Sequence, residues 1–157
     1  SFAKTLSPGI RLGWLAAGKF AHRAEQIRFA LGRSVSPLNQ EVIIRLIKGS
    51  SYDRHLRALR IELAKNAHFL RNIIAEYFPQ ETFITTPVGG YSIWVRMPDD
   101  TDMSDFYREC QKIGVRFTPG FTFSFSNLYE KYIRVIIADK ISAKKISAIK
   151  YLGGKLS

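Results

Sequence analysis

The stretch from Tyr52 to Phe78 constrains the fold more than any other part of the chain. Leu56, Leu59, Leu63, Ala67, Leu70, Ile73, Ile74 and Tyr77 recur mostly every three or four residues. That spacing holds one stripe of a helix for about seven turns at ~3.6 residues per turn. Arg54, Arg57, His68 and Arg71 lie off the stripe, and Pro79 ends the run. A helix this long spans a domain or joins two.

Upstream, Ser36-Pro37 reads as a helix start, with serine as the cap and proline at the first helical position. The segment to Lys48 carries Val42, Ile43, Leu46 and Ile47 on one stripe and closes at Gly49. Lys19 to Leu31 is a further helix, ended by Gly32. Residues 10–17, rich in apolar side chains, read as a short buried strand, with Gly13 placed for close backbone approach.

After Pro79 the hydrophobic period changes from 3.6 to two. Phe83–Thr86 and Tyr91–Met97 read as strands around a Val88-Gly89-Gly90 turn. Thr101 or Asp102 caps a helix that stops at Gly114. Val115–Thr118 and Tyr132–Ala138 are two more strands, and Ser142 caps a last helix through Leu152, before Gly153-Gly154. The order strand, strand, helix, strand, strand, helix predicts a small α/β layer, with helices on one face of a mostly antiparallel sheet.

At 157 residues the chain suits one domain with a sizeable core. Its 46% hydrophobic and 13% aromatic content argues against disorder. No apolar run reaches membrane-spanning length, and the abrupt start at Ser1, without Met or a charged leader, predicts a piece of a longer protein. Cys110 is the only cysteine, so a reducing, cytoplasmic setting is expected. The net charge of +11 is concentrated in the first half. That excess suits either a nucleic-acid face or solvated helix faces with a few anion-binding cations.

The opening SFAKTLSPGIRLGWL holds the candidate chemistry. Lys4 and Arg11 are joined by a Pro8-Gly9 turn and flanked by apolar residues. A lysine amine beside another cation favours its neutral form, as imine formation with an aldehyde requires. Arg11 suits a phosphate, and Ser1 supplies a hydroxyl three residues before Lys4. Ser1-x-x-Lys4 also matches the serine β-lactamase nucleophile motif, but the Ser-Asp-Asn and Lys-Thr-Gly partners are absent downstream.

SFAKTLSPGIRLGWLAAG resembles the lysine segment of fold-type-I pyridoxal-phosphate aminotransferases. More narrowly, it is similar to the branch shared by 2-aminoadipate-type class I/II aminotransferases and the MocR regulators of the GntR family. SVSPLNQ at 34–40, YDRHLRALR at 52–60, TPVGGYSIWVRMP at 86–98, VRFTPGFTFSFS at 115–126 and YIRVIIA at 132–138 extend the resemblance over the whole chain. It implies that Lys4 holds pyridoxal 5'-phosphate covalently and serves as the catalytic base, and that Ser1 and Arg11 bind the phosphate. It further implies residues 1–35 as the end of a large cofactor domain, 36–78 as connecting helices and 79–157 as the C-terminal small domain. The family's pyridine-nitrogen aspartate, stacking aromatic and phosphate loop lie upstream of the lysine. The 157-residue chain alone is therefore expected to bind the cofactor weakly and not to transaminate.

Arg134, in a strand between Ile133 and Val135, is the second candidate. Its planar fork suits a carboxylate, and an internal salt bridge or an edge position reaching water are the alternatives. The resemblance assigns it the substrate α-carboxylate. Gly90 and Tyr91 are candidate substrate contacts, although a hairpin turn alone accounts for the glycines. Phe121, Phe123 and Phe125 read as core or interface rather than cofactor stackers. The histidines show no metal spacing.

Two functional classes follow from the resemblance. One is the effector-sensing part of a MocR-type regulator, homodimeric, with a DNA-binding winged helix upstream. The other is the C-terminal part of a working aminotransferase acting on an amino acid.

Overall fold

A computed structural model describes residues 1–32 and 34–156. They fall into two compact units, Ser1–Leu59 and Arg60–Ser157.

The first unit is helical. Ser1 caps the one-turn α1 (Phe2–Thr5), its Oγ accepting from the Ala3 amide at 3.4 Å. Ser7 repeats the device at the turn Pro8–Ile10. Then come α2 (Ala21–Ala30), α3 (Pro37–Lys48) and the start of α4 (Ser50–Tyr77). Ser36 caps α3 as its sequence predicts, accepting from the Asn39 amide. The Asn39 side chain in turn donates to the Ile10 carbonyl at 2.9 Å, which ties α3 to the first turns. Phe2 and Ile43 are buried here, whereas Val42 and Ile47 of the expected α3 stripe are 43% and 50% exposed.

The strand expected at 10–17 does not form. Ile10 ends the turn, and residues 11–17 have no regular structure. A strand needs a partner for its N–H and C=O groups, and no strand of the described residues pairs with this one. Trp14 and Leu15 are accordingly about three-quarters exposed, not buried.

The second unit is an antiparallel four-stranded sheet backed by helices. Its strands are β1 (Phe83–Ile84), β2 (Ser92–Arg96), β3 (Thr118–Pro119) and β4 (Tyr132–Ile136), in the spatial order β1-β2-β4-β3. β1 and β3 are two residues long: β1 is the first half of the strand expected at 83–86, and β3 shares only Thr118 with the strand expected at 115–118. Alternation along β2 and β4 sends Ile93, Val95 and Ile133 into the core. There they meet Leu70 and Ile74 of α4, Phe106 and Cys110 of α5 (Met103–Lys112), and Leu152 of α6 (Ala143–Leu156). The α4 stripe predicted from spacing is the stripe that is buried, from Ala67 to Ile74. One polar residue is buried among it: Asn66, whose amide donates to the Ile137 carbonyl at 3.0 Å.

Asp102 caps α5 through the amides of Ser104 and Asp105, and Gly114 follows its end at φ +69°. α6 starts at Ser142 as expected but does not stop at Leu152. It runs through both glycines to Leu156. At Gly153 a Cβ would overlap the Tyr77 carbonyl, so this glycine permits backbone contact between α6 and α4. It acts as a packing residue within the helix.

Candidate functional site

The sheet face opposite the helices carries Arg134. β4 parity puts Arg134 between Ile133 and Val135 but on the other side, and the register sets it across from Trp94 of β2 and Thr118 of β3. Its Nη2 donates to Thr118 Oγ1 at 3.0 Å. The guanidinium carbon stands 4.9 Å from the Phe123 ring centre. Phe123 meets Trp94 edge-on at 5.1 Å, and Trp94 also contacts Tyr129 and Tyr132. An aromatic wall and one threonine hydroxyl thus fix the cation in place.

Arg134 pairs with no carboxylate of the described residues. Its Nε is buried without a partner. A buried N–H left unmatched costs roughly 1–3 kcal/mol. The internal salt bridge considered from sequence is therefore absent, and the fork keeps donors for an external anion.

Gly90 lies two residues before β2 at φ +101°, with open space where a side chain would be. Tyr91 is half-buried, and its carbonyl accepts from the Ile137 amide at 2.9 Å, extending the β2–β4 ladder. The phenylalanines, expected in the core or at an interface, lie outside the core. Phe121, Phe123 and Phe125 are 52%, 43% and 115% exposed, and residues 120–123 form a 3-10 turn.

In the first unit, Ser1, Lys4 and Arg11 sit on one closed loop. The Phe2 amide donates to the Leu12 carbonyl at 2.9 Å, and Gly13 lies against the Ser1 backbone. His55 donates to the Thr5 carbonyl at 2.6 Å, and the hydroxyls of Thr5 and Tyr52 meet at 3.1 Å, which holds the loop to α4. Lys4 and Arg11 are exposed, Arg11 in the left-handed region at φ +47°. Ser1 Oγ accepts from its own helix, so its hydroxyl proton is left to donate. An amine, a hydroxyl and a guanidinium on one loop are a donor set suited to an aldehyde that carries a phosphate.

Among the described residues no three His, Cys, Asp or Glu side chains gather as metal ligands, and no helix is long and apolar enough to cross a membrane.

The architecture has close counterparts. It overlays on 99% of the chain with LysN, the α-aminoadipate aminotransferase of Thermus thermophilus, at TM-score 0.86 and 24% identity, covering 40% of that protein. The kynurenine aminotransferase of Pyrococcus horikoshii matches over 99% of the chain at TM-score 0.87 and 24% identity, covering 39%. This is the C-terminal part of a fold-type-I aminotransferase fold.

The aminotransferase-like chain is also similar to curated proteins of another description. The Escherichia coli HTH-type transcriptional regulator YjiR is 30% identical over 153 residues, 98% of this chain and 33% of YjiR. NorG, an HTH-type transcriptional regulator of Staphylococcus aureus, is 33% identical over 140 residues, 88% of this chain and 31% of NorG. The chain thus spans about a third of the length of these relatives. No protein-family model matches it.

Thr118 and Phe123, which hold Arg134, went unread as site residues in the sequence. The parity of Trp94 and Arg134 was available there, but the two-residue β3 and the turn after it were not.

Proposed function

We propose that this chain is the ligand-sensing, aminotransferase-like part of a MocR-type transcription regulator. In the intact protein Lys4 would carry pyridoxal 5'-phosphate, Ser1 and Arg11 would bind its phosphate, and Arg134 would grip the carboxylate of an amino compound. The observation that carries the reading is the Arg134 guanidinium, fixed by Thr118 and Phe123 and left without an acidic partner. Identity with helix-turn-helix regulators along nearly the whole chain supports the regulator class. LysN was solved with N-(5'-phosphopyridoxyl)-L-leucine, a cofactor joined to an amino acid, which supports the ligand pair.

When bound, the cofactor supplies an electron sink for the amino compound attached to it. The chain's own residues do the rest. Arg134 orients the ligand by two parallel hydrogen bonds to its carboxylate. Lys4 offers the attachment amine and can accept a proton there. Ser1 and Arg11 hold the phosphate, and Gly90 leaves room for backbone approach beside Tyr91. Residues 1–35 would belong to a large cofactor domain and 79–157 to the small domain. DNA would be bound by a domain outside this chain, in a cytoplasmic homodimer.

A second reading is a working aminotransferase, favoured by the fold shared with LysN and the kynurenine enzyme. Two measurements on the intact protein test the shared site and then separate the two. Borohydride reduction after incubation with pyridoxal phosphate should leave the pyridoxyl group on Lys4. Under the regulator reading, amino compounds added to the unreduced, cofactor-loaded protein change operator binding without turnover to keto acids. Label on another lysine would overturn both readings.

A further inference from the structure

The helix-covered side of the second unit is not filled everywhere. Between α6, the 114–117 loop and β4 lies a cavity of about 320 Å³. Ile74, Phe106, Val115, Ile133, Ile149 and Leu152 give it apolar walls. Arg116, Lys144 and Lys145 stand on its lining, against the single acid Asp139. Arg116 and Lys144 are exposed. Lys145 is half-buried, with Nζ donating to the Ile136 carbonyl at 3.3 Å. No carboxylate of the described residues forms an ion pair with any of the three.

An apolar chamber does not hold ordered water, which needs two to four polar partners. Its volume is at the lower end of small-molecule sites, and such sites pair apolar walls with a few orienting polar groups. We propose that this cavity binds an amphipathic organic anion, with an aliphatic or aromatic tail among the apolar walls and a carboxylate at Arg116, Lys144 and Lys145. The excess of cations selects the sign of the head, and the walls select the tail.

The site is separate from that of Arg134 and does not rest on the reading of Arg134. Ile133 and Val135 line the cavity, while Arg134 between them faces the opposite side of the sheet. One strand therefore borders both, and a tail pressing on Ile133 and Val135 acts on the strand that carries the guanidinium.

Octanoate is a suitable probe, titrated into the 157-residue chain with methyl-labelled isoleucine, leucine and valine and followed by NMR. Saturable shifts at Ile133, Val135, Ile149 and Leu152 are expected, with octanol binding at least tenfold more weakly. The double substitution Arg116→Glu/Lys144→Glu, at exposed positions, should weaken octanoate at least tenfold and leave the thermal unfolding midpoint nearly unchanged. Ala148→Phe, which fills the chamber, should remove binding. If that variant does not fold, the double substitution decides. The proposal is overturned by absence of saturation, by equal binding of octanol, by indifference to the charge reversal, or by shifts confined to the Trp94 and Phe123 face.

Discussion

Arg134 and Thr118 meet across the β3–β4 pair, Nη2 to Oγ1 at 3.0 Å, so a strand of only two residues orients a cation on the sheet face opposite the helices. The contact gives Arg134 a fixed rotamer before any anion arrives. Arg134→Lys keeps the charge but loses the planar fork. Hydrogen bonds to charged groups are worth about 1.5–3 kcal/mol. Carboxylate ligands of the intact protein should therefore bind roughly ten- to a hundredfold more weakly, and Thr118→Val should cost about 1 kcal/mol. Trp94, across from Arg134, offers a fluorescence readout for the titration.

The adjacent glycines of α6 should respond with opposite signs. A side chain at Gly153 would overlap the Tyr77 backbone, whereas Gly154 has nothing within 4 Å. Gly153→Val is expected to destabilise by about 3 kcal/mol or more, as overpacking does where backbone must move. Gly154→Ala should stabilise by up to ~1 kcal/mol through helix propensity. Urea unfolding midpoints of the two variants check this, and a loss of stability in both would refute it.

Asn66 is the buried polar residue of α4, and its bond to the Ile137 carbonyl joins that helix to the end of β4. Asn66→Ala leaves the carbonyl unsatisfied at a cost of about 1–3 kcal/mol. Slower-exchanging amides near Ile137 should lose protection in hydrogen exchange by the same free energy.

Burial, aided by the nearby Glu109 charge, pushes the Cys110 thiol up to about 12. The unfolded thiol titrates near ~8.5. Between these values the folded chain keeps a proton that the unfolded chain has lost. This contribution is therefore complete below pH ~8.5 and declines as pH rises toward 12. Iodoacetamide at pH 8 should modify Cys110 slowly in the native chain and rapidly in urea. Cys110→Ala should flatten the fall in stability above pH ~8.5. Rapid alkylation of the native thiol would contradict the burial argument.

Much of the fold was legible because its signals are local. Ser36, Asp102 and Ser142 cap helices where their neighbours' amides need acceptors, and the Leu70–Ile74 stripe buries as its spacing requires. Gly153-Gly154 misled, since a glycine that ends one helix is indistinguishable in sequence from one that lets another helix come close. Residues 10–17 misled for the converse reason. Their apolar run suits a strand, but no strand in the described residues pairs with it.

The amino-acid order by itself determined where α5, β2 and β4 of the sheet unit lie and where α6 begins, and that Ser1, Lys4, Arg11 and Arg134 carry groups with chemistry to offer. Only the tertiary structure decided that Arg134 lacks an acid, that Thr118 and Phe123 hold it, and that a cavity opens on the other face of its strand. Caps and hydrophobic periods act within a few residues of chain. Partnership of a buried guanidinium depends on which distant segments the sheet register brings alongside it.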